Sequence, residues 1–149
     1  MKLYKNTVLT GAVAVMMSSA VFACDLSKIT LENAYVLAGP TGQVNTAGYA
    51  TIKNSGDTAC DIVGAKADSI APTVELHTIT NENGMFNMQQ VKSFTVPANG
   101  TLSLAQGGNH LMFLQLNKAL KIDESVPVTL EFAGGEHKVE NFKVKDMKG

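Results

Sequence analysis

The sequence contains no arginine and no tryptophan, and only two cysteines in 149 residues. Its positive charge rests on 12 lysines with no basic cluster, so the cationic footprint needed to hold a phosphate backbone is missing and nucleic acid is excluded as a partner. No acidic run marks a disordered interaction tail. No long stretch keeps a helical period, so any helix should be short. There is no internal repeat, no linker and no sign of a second domain. No Gly-x-Ser-x-Gly elbow is present, which argues against a hydrolase although Ser, His and Asp all occur.

What is present begins with a leader. Lys2 and Lys5 precede an apolar stretch from Val8 to Val21 that ends in small residues at Ala23, the layout of a cleaved secretory signal peptide. The stretch is short for a bilayer and no stop-transfer segment follows, so residues 1–23 are expected to be removed and 24–149 to form one periplasmic domain. Without the two leader lysines, ten lysines face 13 acids, a formal charge of −3. Cys24 and Cys60 both remain, and in an oxidising compartment an even pair is expected to be bridged. The alternative reads Val21-Phe22-Ala23-Cys24 as a lipobox with a lipid on Cys24, although Phe22 is bulky for that role. Either use of Cys24 argues against thiolate metal ligands.

Short runs rich in Val, Ile, Thr and Tyr alternate with Gly, Pro, Asn and Asp, the pattern of an all-β sandwich or barrel. Strands are predicted at Ile29 to Leu37, Ala47 to Asn54, Cys60 to Ala67, Thr73 to Thr80, Met85 to Thr95, Thr101 to Ala105, His110 to Leu116, Val126 to Phe132 and Lys138 to Val144.

Two of these runs form a hairpin that carries His77 and Met88. With Asn81-Glu82-Asn83-Gly84 as the loop, His77 stands opposite Met88, about 5 Å away between Cβ atoms. With Asn83-Gly84 as a type I′ turn, Met88 faces Ile79 and His77 lies diagonally, roughly 7 to 8 Å away. Both loops are even in length, so His77 and Met88 share a face in either register. Further on, His110 and Met112 are two residues apart and leave the same face of one strand. Gly107-Gly108 just before them suggests a strand end near a rim.

Thioether sulfur is soft and neutral and favours Cu(I), while imidazole suits both copper states. Two Met and two His therefore indicate Cu(I), or mixed copper binding, with one ion for the domain, over zinc, calcium or magnesium. A blue-copper electron carrier needs a cysteine thiolate, and none lies nearby.

The spacing of His77, Met88 and His110-Leu111-Met112 resembles the signature of periplasmic Cu(I) chaperones of the PCuAC type. The matching blocks are Glu75-Leu76-His77, Gly84-Met85-Phe86-Asn87-Met88 and Gly107-Gly108-Asn109-His110-Leu111-Met112, with Tyr49-Ala50-Thr51-Ile52-Lys53-Asn54 upstream. The resemblance implies a cupredoxin-like Greek-key β-barrel of eight or nine short strands. It also implies a non-enzymatic carrier that passes copper to an acceptor protein, typically for assembly of the cytochrome c oxidase copper centre. Two positions depart from that family: Thr78 stands where many members have Met, and Gln106 where they have Pro. The sequence ends at Lys145-Asp146-Met147-Lys148-Gly149 without the His- and Met-rich tail of some relatives, so no second, Cu(II)-type site is expected there.

Taken singly, Met88 or Met112 reads as core filling, and His77 or His110 as an ordinary histidine. Jointly, the shared face and the spacing outweigh that reading. Met85 has the opposite parity from Met88, His137 belongs to a hairpin tip, and Asp57, Asp61 and Glu75 read as solvated or turn residues. A monomer is expected, touching membranes only through its acceptor or a lipid on Cys24. Copper sequestration for tolerance, or a metal-free secreted β-sandwich, are the competing functions.

Overall fold

The computed structural model describes residues 11–15 and 24–148. Apart from 11–15, the expected leader lies outside the described residues. A short 3-10 turn, Leu26–Lys28, is capped by the Asp25 carboxylate, which accepts from the Ser27 amide. Ten strands follow: β1 Ile29–Ala38, β2 Asn45–Asn54, β3 Cys60–Ala67, β4 Ala71–Glu82, β5 Met85–Gln90, β6 Phe94–Val96, β7 Gly100–Leu104, β8 His110–Leu114, β9 Ser125–Phe132 and β10 His137–Asp146. The fold is all-β, as expected, with one or two strands more than the sequence suggested.

The extra strand comes from a break. The run expected from Met85 to Thr95 is two strands, because the chain leaves β4 after Gln90 with the Val91 amide bonded to the Leu76 carbonyl. It then crosses to pair β6 with β3, where Phe94 and Val96 are buried. The break comes where β3 takes over that edge of β4, pairing Ala65 with Val74, and the crossing buries Phe94 and Val96.

Strands β4-β8-β2-β1-β10-β9-β3 pair in that order, and β3 pairs back to β4, closing a barrel. All these pairings are antiparallel except β1 with β10. Inside lie alternate residues of each strand, such as Val126, Val128, Leu130 and Phe132 of β9, Leu111 and Phe113 of β8, and Ala50 and Ile52 of β2. Near Asn33, whose φ is 50°, β1 carries a bulge between Glu32 and Tyr35. One extra residue switches the inward parity from Ile29 to Val36 and turns Tyr35 outward.

Strand β4 has two parts. Its first half joins β3 on one edge and β8 on the other, and its second half continues past the barrel as a hairpin with β5. Asn83 and Gly84 both have positive φ, 53° and 83°, as a type I′ turn requires.

Cys24 and Cys60 form a disulfide, so the chain has no free thiol. A sulfur in this bond cannot also carry a lipid. The bridge spans 36 residues and fixes the start of the domain to the buried start of β3. Cys24→Ala should therefore lower stability by about 2–4 kcal/mol. Urea unfolding of the domain measures this, and a loss below about 0.5 kcal/mol would show that the bridge is dispensable.

Candidate metal centre

The antiparallel register of β4 and β8 sets His77 opposite His110, and Glu75 opposite Met112. Leu76, Leu111 and Phe113 of these strands point into the core, so His77, His110 and Met112 belong to the outer face. On the other side of β4, Ile79 pairs with Met88 and His77 with Gln90. This is the two-residue-turn register, with Met88 diagonal to His77 on the same face. All four residues singled out in the sequence thus share one surface, at the rim where the β4-β5 hairpin leaves the barrel.

Their surroundings differ sharply. His110 is 1% exposed although it lies outside the barrel, and Met88 is 51% exposed. Tyr49 covers one side of His110 at 6.2 Å between ring centroids, and His77 covers the other at 5.6 Å. Tyr35, turned outward by the bulge, stacks behind Tyr49 at 5.4 Å. Burial, with a smaller contribution from Tyr35, pushes the Tyr49 hydroxyl above the usual tyrosine range, so at neutral pH it offers no phenolate to a cation.

Each imidazole has one nitrogen satisfied and one left open. His77 Nε2 lies 2.7 Å from a Glu75 carboxylate oxygen, and His110 Nδ1 lies 2.9 Å from the Gly108 carbonyl oxygen. A carboxylate and a carbonyl can only accept here, so each of those nitrogens carries the proton. The lone pairs are therefore on His77 Nδ1 and His110 Nε2, and these are the two buried polar side-chain atoms without a hydrogen-bond partner among the described residues. Buried lone pairs are normally satisfied. Two of them on rings 5.6 Å apart, each ring held by an acceptor behind it, is the arrangement seen when histidines wait for a metal. A centroid separation of 5.6 Å is compatible with one ion bonded to a nitrogen of each ring at about 2 Å.

The donor set is soft. Met88 and Met112 bring two thioethers to this face, both cysteines are bridged, and no cluster of three or more His, Cys, Asp or Glu occurs among the described residues. A hard cation or a tetrahedral zinc site has too few ligands here.

Glu75 needs correction: it is no simple solvated residue, because it is partly buried and bonded to His77. Its position two residues before His77 on one strand was the available signal. Thr78 also has an unforeseen role, since its hydroxyl donates to Asn109 Oδ1 at 2.7 Å and ties the loop before His110 to β4. That loop turns at Gly107, whose φ is 83°, and the Gly108 amide closes on the Ala105 carbonyl. Met85 and His137 are exposed. Asp61 is exposed too and accepts from Thr95.

A sequence profile described as "Putative lipoprotein LpqE-like" matches residues 29–144. The chain belongs to the LpqE-like family. The putative lipoprotein Lxx21020 of Leifsonia xyli subsp. xyli (strain CTCB07) is 36% identical over 122 residues, covering 81% of this chain and 72% of that one. Among solved structures, the Cu(I) form of DR1885 from Deinococcus radiodurans is 36% identical, with a TM-score of 0.63 over 76% of this chain and 75% of that one. The copper-bound PCuAC domain from PmoF2 has a TM-score of 0.67 at 19% identity, covers 84% of this chain and 97% of its own, and so attests the fold alone. The LpqE-like chain thus has the cupredoxin-like barrel that the sequence led us to expect.

In the metal-free protein the two histidines should hold opposite tautomers, Nε2–H at His77 and Nδ1–H at His110. Long-range 1H–15N correlations of the imidazoles above the histidine titration range distinguish the two forms. The same tautomer at both positions would contradict the hydrogen bonding described.

Proposed function

We propose that this protein is a periplasmic carrier of Cu(I), holding one ion with His77, Met88, His110 and Met112 and delivering it to an acceptor protein. The observation that carries the proposal is the pair of unpartnered nitrogens, His77 Nδ1 and His110 Nε2, on the face that also bears the Met88 and Met112 thioethers. Support also comes from the Cu(I) form of DR1885, 36% identical. The reading extends to export by the leader and to a destination in the copper centre of cytochrome c oxidase, both drawn from the resemblance to PCuAC chaperones. The disulfide favours a released protein over one lipidated at Cys24.

All four donors are neutral, so a bound Cu(I) keeps its single charge and stays soft-ligated. The Glu75 carboxylate orients His77 and fixes its tautomer, and the Gly108 carbonyl does the same for His110. His110 is the enclosed anchor and Met88 the open side. An incoming thiolate, thioether or imidazole meets the metal at Met88 first and replaces the ligands stepwise, without a redox reaction. Four protein donors leave little room for a substrate, so the reading is of a carrier and not an enzyme.

Competition for Cu(I) against a chromophoric chelator tests the assignment. Met88→Leu, Met112→Leu and His110→Ala should each weaken binding at least tenfold, and Glu75→Ala by about 10–100-fold. Met88→Leu should leave the unfolding free energy within about 0.5 kcal/mol, because the side chain is half exposed. Parent affinity in all of the ligand variants would refute the site. Tight binding without passage to any apo copper domain would favour storage over delivery.

A further inference from the structure

The rung that joins the two histidines is the last of its ladder. Strands β4 and β8 pair from Thr73 with Leu114 to His77 with His110, and from Thr78 onward β4 has only β5 beside it. The other edge of β8 stops one residue sooner. Its last partner on β2 is Gly48, opposite Leu111, and β7 takes over that edge of β2 at Ala50, opposite Leu104. His110 thus begins its strand at the fork between β7 and β8, two residues after the Gly107-Gly108 pair starts to turn the chain back. Strand ends with few neighbours are the first to open. An opening at this end would draw His110 away from His77 and separate the two free nitrogens.

Two sets of hydrogen bonds hold the end down, in different directions. The Ala105 amide donates to the Asn109 carbonyl and the Gly108 amide to the Ala105 carbonyl, both at 3.0 Å, which closes the turn onto the end of β7. These bonds fix His110 relative to β7 and leave its distance from β4 unset. The other is the bond from the Thr78 hydroxyl to Asn109 Oδ1. Among the described residues it is the one side-chain hydrogen bond between β4 and the segment from Ala105 to Leu114. Thr78 follows His77 and Asn109 precedes His110, so the bond stands where the next rung of the ladder would be. Thr78 also has the parity of Leu76, which puts its side chain on the reverse side of β4 from the His77 imidazole.

We infer that Thr78 and Asn109 are positioning residues for the metal centre: their bond clamps the open end of the β4-β8 ladder and keeps His110 Nε2 beside His77 Nδ1. Neither residue touches the ion. The inference rests on the carrier reading above and adds to that site the pair that holds its geometry. The bond is partly shielded from water, and losing the hydroxyl leaves the Asn109 oxygen without its partner. Each opening of the rung leaves Cu(I) on fewer ligands, so how often the rung opens sets how long the ion stays.

Hydrogen exchange and Cu(I) release test the clamp on the same variants. Thr78→Val removes the hydroxyl at nearly constant shape, Asn109→Ala removes the acceptor, and Thr78→Ser keeps the hydroxyl. In the metal-free protein, Thr78→Val and Asn109→Ala should speed amide exchange at His110 and Leu111 about three- to tenfold. Exchange at Phe113, farther along β8, and the midpoint of urea unfolding should stay as in the parent. In the loaded protein, each should speed Cu(I) release to excess bathocuproine disulfonate about three- to tenfold. Thr78→Ser should keep both parent rates. Combining Thr78→Val with Asn109→Ala should be no faster than either alone, because the same bond is lost once. Parent values of either rate in both single variants would overturn the inference. So would a Thr78→Ser that behaves as Thr78→Val, or exchange accelerated equally along all of β8, which marks general destabilisation. A parent that retains no Cu(I) would defeat the carrier reading instead, and the exchange measurement, which needs no metal, would still decide the clamp.

Discussion

The pairing of β4 with β8 is the constraint on which the site depends. It joins segments more than thirty residues apart, and its register alone puts His77 against His110 and Glu75 against Met112. A slip of one residue would exchange the faces of β8, taking His110 and Met112 into the core and bringing Leu111 and Phe113 out. The slip is resisted by burial of Leu76, Leu111 and Phe113, and by the Thr78 to Asn109 bond at the rim. The chemistry outside the barrel is thus held in place by hydrophobic packing inside it.

Much of the arrangement was legible because strands have a period of two. His110 and Met112 had to share a face, and His77 and Met88 did so under either even-length turn, before any register was chosen. Asn83-Gly84 contained the answer to that choice in its tolerance of positive φ. The break after Gln90 was not legible. Met85 to Thr95 reads as one β-rich run, and only the barrel's third dimension gives Phe94 a core to enter. The roles of Tyr35 and Tyr49 were hidden for a similar reason, since a bulge at Asn33 resets the parity of β1 and no sequence period announces it. Glu75 was the avoidable miss, because its parity with His77 was already in view.

The donor set follows from what the fold removes as much as from what it supplies. The disulfide takes both thiols out of reach, and burial keeps the Tyr49 hydroxyl protonated. The Glu75 carboxylate is turned toward His77. What remains on the face is two imidazole lone pairs and two thioethers, neutral groups that compete weakly for hard cations and well for a soft monovalent one.

The two ends of β2 give the molecule a polarity. At one end Asn54 lies beside Cys60, with its amide nitrogen 3.7 Å from the Cys60 sulfur, and that sulfur holds Cys24, where the described domain begins. At the other end Ala47 pairs with Met112. Seven residues separate Asn54 from Ala47, some 23 Å along an extended strand. Whatever precedes Cys24 is therefore attached at the pole opposite the histidine face, and a chain held by that pole would present His77 and His110 outward.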